Sequence, residues 1–318
     1  MRDHDPDVNP GERNFIPMIT LASSEPVSAT VGRKRIRELE VMVAATKAET
    51  HDTTTLVLFT GNDHLEYEAG HFLTIDPHQF PELERFTAYL EEVKGRRELS
   101  RAYSMSSAPY ERQLANTVKE EKYAAGRTAF PPLLSPLLVR GLPVGTRLTV
   151  TGFTGPYTLP SDIADRTDHV LHCCAGSGIV PNFSMIKQCL KVHASIRHTL
   201  VYSSRTWSDI IFRDQLAQLA AEHPRKLTVV HALTRETSPE SRGPNVRAGR
   251  MSAELLREAV PDFDTVEVFL CGPAVSRHER AAAASRNEKP APRFLETAVE
   301  ALASLGIESQ KIHRESYG

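Results

Sequence analysis

Three short groups of residues in this chain have types and spacings that could bind phosphorylated, aromatic ligands. In HVLHCCAGSGIVP an apolar run meets Gly176, Ser177 and Gly178 and then a segment with Pro181 near its start. Glycines at such a turn let a pyrophosphate approach backbone N–H groups at a helix N-terminus. Pro181 stands where a full G-x-G-x-x-G pattern has its third glycine, so an ordinary tight strand-to-helix turn fits these residues too. RAYSMSSAP ends an extended run whose chemistry suits a flavin: Arg101 can neutralise a phosphate, Tyr103 can pack on a ring, and Ser104 can hydrogen-bond a ring nitrogen. An exposed strand without ligand duty has the same composition. FLCGP takes an apolar strand to Cys271, Gly272 and Pro273, either a wall beside a ligand or the end of a strand holding a buried structural cysteine.

The segments between these groups define what must position them. From residue 35 to about 160, RELEVMVAAT, TTTLVLFT, HFLTIDP, RAYSMSS, RQLANTVKE and TRLTVTGF read as six strands separated by polar, Gly or Pro breaks. That succession predicts an antiparallel six-stranded β-barrel. Within it, PELERFTAYLEEVKG sets Leu83, Phe86, Leu90 and Val93 at helical spacing, a face that could cover the barrel. After about 165, apolar strands alternate with helical runs, as in TLVYSS then DIIFRDQLAQLAAE, which predicts an α/β parallel sheet of Rossmann-like form. Ligands of such sheets bind at the carboxyl ends of the strands. The expected division is an irregular arm over 1–34, a barrel domain over 35–162 and an α/β domain over 163–318.

Composition excludes several classes of partner. Lys and Arg number 38 against 40 Asp and Glu among 318 residues, so no net field attracts nucleic acid. No apolar run reaches the roughly 18 residues that cross a bilayer, and MRDHDPDVNPGER lacks a secretory layout, so no membrane partner and a cytoplasmic location are expected. Cys173, Cys174, Cys189 and Cys271 form neither CxxC pairs nor the spacing of a plant-type 2Fe-2S centre, so no metal site is expected.

The order of the groups, RxYS in a barrel, then GSGIVP, YSSR, CGP and a final acid and aromatic, resembles the ferredoxin-NADP reductase family of flavoproteins over residues 36 to 317. YSSRTWSDIIFRDQL resembles the corresponding segment of bacterial oxygenase reductases. The resemblance implies that Arg101, Tyr103 and Ser104 hold FAD, with Arg101 on its pyrophosphate and Ser104 beside its reactive nitrogen. It likens Thr117, Val118 and Lys119 to the next flavin strand and Gly70 and Phe72 to the turn and strand before. Gly176, Ser177, Gly178 and Pro181 then form the nucleotide's pyrophosphate turn, and Cys271, Gly272 and Pro273 the wall beside its nicotinamide. Glu315 and Tyr317 match the terminal acid, which would help proton movement, and the terminal aromatic, which would shield the flavin; a plain last strand is the alternative. The chain departs from the family where a compact G-x-x-S turn is usual: Gly126 and Ser135 are separated by RTAFPPLL, leaving Ser135 as the candidate phosphate cap. It departs again over residues 277–293, RHERAAAASRNEKPAPR, which reads as a solvated excursion. That stretch and the 80–95 helix are candidate docking or oligomer surfaces, with an inert insertion preferred.

After the second strand of the α/β part stand Ser203, Ser204 and Arg205, with no acid in that turn. A hydroxyl beside a guanidinium suits a 2′-phosphate, which favours NADPH over NADH. Arg235 and Arg250 could add charge there, but surface salt bridges are the preferred reading for both. The resemblance thus implies a FAD-dependent NAD(P)H reductase that passes electrons to a separate ferredoxin or Rieske-type oxygenase. An NAD(P)H oxidase or diaphorase, or a non-catalytic flavin-binding electron-transfer subunit, are the alternatives.

Overall fold

Alternating apolar and polar residues, rich in Val, Leu and Thr, produce β1 (Leu39–Thr50), β2 (Thr53–Phe59), β3 (Phe72–Ile75), β4 (Arg101–Ser104), β5 (Leu114–Lys119) and β6 (Arg147–Thr154). The computed structural model describes residues 38–61, 65–125, 128–193 and 195–317, all within the compact unit Arg35–Gly318. The arm expected over residues 1–34 and Gly126 lie outside the described residues. The six strands form one sheet in the order β4-β3-β6-β1-β2-β5, every neighbouring pair antiparallel. A bridge between Met105 and Asn116, with Ser106 N–H donating to the Ala115 carbonyl at 2.8 Å, joins the two outer strands and closes the sheet on itself. Val43, Leu56, Leu73, Ile75, Met105, Val118 and Val150 fill its interior. The predicted antiparallel barrel is what forms.

Helix α1 (Glu84–Lys94) is inserted between β3 and β4. Leu83, at its N-cap, packs on the barrel core and Leu90 is buried, but Val93 is 51% exposed, against the expectation from spacing. The inward position after Leu90 is Lys94, whose ammonium donates to the buried Glu98 at 2.6 Å, so an ion pair takes the place of an apolar contact. Short helices α2 (Ser135–Arg140) and α3 (Ile163–Arg166) flank β6.

Beyond α3 the chain alternates β7 (His169–Ala175), α4 (Ile179–Val192), β8 (Arg197–Ser204), α5 (Arg213–Glu222), β9 (Leu227–Leu233), β10 (Val246–Ala248), α6 (Ala253–Ala259), β11 (Glu267–Pro273), α7 (Arg277–Ala284), α8 (Phe294–Ser304) and β12 (Ile312–Tyr317). The strands form a parallel sheet in the order β10-β9-β8-β7-β11-β12. β7 is buried along its whole length, as expected for a central strand covered on both faces. β10 has three residues, too few for periodicity to reveal. Among the described residues, no helix is long and apolar enough to cross a membrane.

The barrel and the parallel sheet meet through α4 and α5. Ser184 Oγ on α4 donates to the Ser107 carbonyl at 2.6 Å, Lys187 pairs with Glu111, and Gln215 on α5 donates to Glu49 at 3.2 Å. Gly70, before β3, has φ +103°, and a Cβ there would lie 2.1 Å from the Tyr157 carbonyl oxygen and 2.5 Å from Met185 Cε on α4. Gly70→Ala must therefore displace the backbone at Tyr157, while the Met185 side chain can swing aside. It should cost about 3 kcal/mol or more, whereas Gly145→Ala, with φ +91° and nothing within 4 Å, should cost about 1 to 2 kcal/mol. Denaturant midpoints of the two variants check this.

Candidate functional site

The turn after β7 is held from three sides. Gly176 adopts φ +55°, and its carbonyl accepts from Tyr202 Oη at 2.9 Å. Gly178 has an ordinary φ, yet a Cβ there would sit 2.1 Å from the Cys271 carbonyl oxygen, so the backbones of the turn and of β11 are in direct contact. Asn182 Nδ2 donates to the Gly178 carbonyl at 3.0 Å and to Tyr157 Oη at 3.1 Å. Its Oδ1 must then accept from His172 Nδ1–H (2.8 Å), and His172 Nε2 from His198 Nδ1–H (3.1 Å). This buried chain keeps both rings neutral: burial holds His172 down at about 4 and His198 well below the ordinary histidine value.

Parallel pairing of β11 with β12 sets Cys271 beside Glu315 and Pro273 beside Tyr317. The Tyr317 hydroxyl meets the Ser104 hydroxyl at the end of β4, and Tyr317 Oη lies 3.3 Å from Glu315 Oε2. Four residues from β4, β11 and β12, two of them 213 positions apart in the chain, therefore form one cluster where the barrel meets the sheet. Burial raises the Glu315 carboxyl to about 7, with the Tyr317 hydroxyl partly opposing the rise. Burial also pushes the Cys271 thiol well above its ordinary value, so it is an S–H group at neutral pH, not a thiolate.

Alongside this cluster, at the carboxyl ends of the sheet strands, opens a cavity of about 830 Å³, within the size range of small-molecule sites. Gly176, Ser177, Ser203, Ser204, Arg205 and Pro273, all singled out in the sequence, line it. Ser203 Oγ and Ser204 Oγ, on residues of the cavity wall, are both buried without a protein hydrogen-bond partner. Pro181 is buried in the first turn of α4, where its missing N–H costs nothing, and shapes the helix start without lining the cavity.

Residues 173–278 match the oxidoreductase NAD-binding domain family model. The two sheets together have the fold of ferredoxin-NADP+ reductase. The ferredoxin reductase component of 3-ketosteroid-9-alpha-monooxygenase from Mycobacterium tuberculosis is 31% identical over 292 residues, covering 88% of this chain and 65% of that relative. The chain thus spans just under two thirds of that relative's length. The flavohem-like FAD/NAD-binding domain of nitric oxide dioxygenase from Vibrio cholerae superposes with a TM-score of 0.66 at 22% identity, covering 90% of this chain and 100% of that one. Ferredoxin-NADP+ reductase from Plasmodium falciparum superposes at 0.62 with 15% identity, covering 89% and 100%.

Within this fold the residues expected on the flavin side divide. Ser104 reaches the cluster, and Lys119 reaches the cavity wall. Lys119 Nζ donates to the buried Asp52 at 2.6 Å; burial alone would raise that carboxyl, but Lys119, with Thr50 and His51, holds it at about 2. Arg101 is committed to Glu98 at 2.5 Å and to the Leu99 carbonyl, so α1 and its following turn fix its position. Tyr103 is partly buried against the barrel core, Thr117 Oγ1 bonds Thr55 Oγ1 at 2.8 Å, and Val118 is core, since alternation along β5 turns it inward. Gly70 and Phe72 supply the turn and strand edge that abut Tyr157 and Ser104. Ser135 Oγ accepts from Glu121 N–H at 3.0 Å and closes its own loop instead of facing the cavity. Cys271 and Gly272 are buried; Gly272 leaves space for the Phe294 ring, which a Cβ would approach to 2.5 Å.

The spacing of motifs missed the contribution of residues 277–293. Ser276 and Glu279 form a capping box that starts α7, Asn287 turns the chain at φ +55°, and Glu288 to Arg293 return along the cavity. The stretch is solvent-facing but also lines the site. The position of the stretch after Cys271-Gly272-Pro273 was the available signal, because a segment leaving a carboxyl strand end must pass the ligand edge.

Glu315 has a folded value near 7 against an ordinary 4.5, so its protonated form is preferred in the fold. Its contribution is complete below pH 4.5 and is lost as pH rises towards 7 and above. Relative to Glu315→Gln, the unliganded protein should lose about 2 kcal/mol of unfolding free energy across that window. Taking the difference cancels the opposite slope of His172 and His198, whose stabilising contribution is present above 6.5 and lost as pH falls. Chemical denaturation of both proteins from pH 4.5 to 8.5 measures the effect, and parallel curves would count against it.

Proposed function

We propose that this chain is a FAD-dependent NAD(P)H oxidoreductase that passes electrons from NADPH, with NADH the weaker donor, to a one-electron acceptor such as a ferredoxin or a Rieske-type oxygenase. The observation that supports this reading best is the meeting of Ser104 from the barrel with Cys271, Glu315 and Tyr317 from the parallel sheet. The name of the Mycobacterium tuberculosis relative, a ferredoxin reductase component of a monooxygenase, favours the same kind of acceptor. In this proposal residues 35–162 hold the flavin, those from 163 to 318 hold the nicotinamide nucleotide, and the chain works in the cytoplasm, where reduced nicotinamide nucleotides are maintained.

The donor sets fit both groups. Ser104 and Tyr103 offer a hydroxyl and a ring along one edge of the barrel, and Arg101 and Lys119, each positioned by one carboxylate, keep further N–H donors for a pyrophosphate. The Gly176–Gly178 turn at the start of α4 and the unpaired Ser203 hydroxyl suit the phosphates of a dinucleotide. A flavin held there would supply the redox chemistry, two-electron hydride acceptance and single-electron release. The protein orients: Cys271 and Pro273 wall the approach, Ser104 offers its hydroxyl to the ring, and Tyr317 covers that hydroxyl until a nicotinamide displaces it. Glu315, protonated near neutral pH, holds a proton within reach of the Tyr317 hydroxyl.

Absorbance of the purified chain after FAD addition, followed by anaerobic titration, tests the donor half. NADPH should bleach the flavin bands at lower concentration than NADH; no flavin bound would sink the proposal, and comparable action by both nucleotides would remove the preference. Cytochrome c reduction should require added ferredoxin, while activity with dyes alone would count against the acceptor class. Tyr317→Ser should tighten oxidised nucleotide binding about tenfold or more, since a buried hydroxyl no longer has to be displaced. Unchanged affinity would refute the shielding role.

A further inference from the structure

The charges around the cavity do not balance, and the imbalance is local. Its acidic side chains are all committed within the protein. Asp209 accepts from Thr206 N–H and Oγ1 at 3.0 and 2.7 Å. Glu279 caps α7 through Ser276 N–H at 2.8 Å and lies 3.4 Å from Arg293, and Glu288 takes Arg286 at 2.9 Å. Of the cations, Lys119 is held by Asp52. Three remain, Arg205, Arg250 and Lys289, each lining the cavity with no ion pair or side-chain hydrogen bond among the described residues. Among the described residues, the surface salt bridge expected for Arg250 has no counterpart.

The position of Arg250 separates it from the pyrophosphate turn. That turn follows β7, Arg205 follows β8, and Arg250 follows β10, so the sheet order carries the two arginines progressively away from Gly176–Gly178. The turn's backbone N–H groups already serve a pyrophosphate. Cations further out, beside the unpaired Ser203 hydroxyl, match an additional phosphate on the same ligand.

We propose that Arg250 and Lys289 are specificity-determining residues that, with Arg205, bind the 2′-phosphate of the nucleotide, and that the 285–293 segment brings Lys289 to the site for this purpose. The inference rests on the nucleotide reading above and deepens it: a hydroxyl and three uncommitted cations from three distant stretches read the one group by which NADPH differs from NADH. The excursion after Cys271-Gly272-Pro273 is then part of the binding site.

The test uses the FAD-loaded chain and calorimetric binding of adenosine 2′,5′-bisphosphate and 5′-AMP, which requires no turnover. The unsubstituted protein should prefer the bisphosphate by about a hundredfold. Arg250→Ala and Lys289→Ala should each weaken the bisphosphate about tenfold, in line with a charge-assisted hydrogen bond, leave 5′-AMP within about twofold, and flatten the salt dependence of bisphosphate binding. Arg250→Lys should recover most of the loss. Equal weakening of both ligands would place these cations on the shared 5′-phosphate and overturn the proposal, as would no weakening of either. If the unsubstituted protein bound both probes with equal affinity, the 2′-phosphate assignment would fall while the dinucleotide site stood. If it bound neither, the nucleotide reading itself would fall.

Discussion

The contact between Gly178 and the carbonyl of Cys271 is the constraint from which the site follows. No side chain at 178 can be accommodated, since a Cβ would lie 2.1 Å from the carbonyl oxygen. That approach brings the turn after β7 against the end of β11, and β11 in turn carries β12 in parallel register. Glu315 and Tyr317 are thereby set at the same level as Cys271, facing the barrel strand that ends in Ser104. A second close approach sets Gly70, just before β3, against the Tyr157 backbone that follows β6. Two glycines without side chains do what no attractive contact could, because they let backbones from distant parts of the chain touch.

Polar groups around the site fall into two kinds. One kind is fully committed: Asp52 to Lys119, Glu98 to Lys94 and Arg101, Asn182 to Gly178, Tyr157 and His172. These bonds give buried or half-buried charges and amides the partners that burial demands, and they hold the turn and the barrel edge in one arrangement. The His198–His172–Asn182 chain is of this kind, a row of neutral donors and acceptors inside the sheet that ends on the Gly178 carbonyl. The other kind is uncommitted: the Ser203 hydroxyl, Arg205, Arg250 and Lys289, all at the cavity. Rigidity in the first group and open valences in the second are what a site needs to recognise a charged ligand without rearranging.

Much of this was legible in the residues because it depends on neighbours in the chain. Alternation with period two in the first half and the change to apolar strand and helix in the second are local patterns, and they produced the barrel and the parallel sheet as expected. Gly176 and Gly178 were legible because a strand, two small residues and a helix start are contiguous. Val93 was misplaced because spacing alone does not weigh an apolar contact against the Lys94–Glu98 ion pair. Ser135 looked like a phosphate cap by analogy, yet its hydroxyl closes a local turn on Glu121, a choice made by a loop whose length differs from the pattern.

By itself, the sequence determined the two sheets, their order, and the residue types at Ser104, Cys271, Glu315 and Tyr317, since each is carried by a short contiguous motif. Only the tertiary structure decided which of these meet and which charges stay open. Whether Arg101 or Arg250 is free depends on a carboxylate brought from elsewhere in the fold: Glu98 is delivered to one, and none to the other. The 277–293 stretch is hydrophilic in either setting, and only the path taken through Asn287 turns a solvated loop into a wall of the cavity.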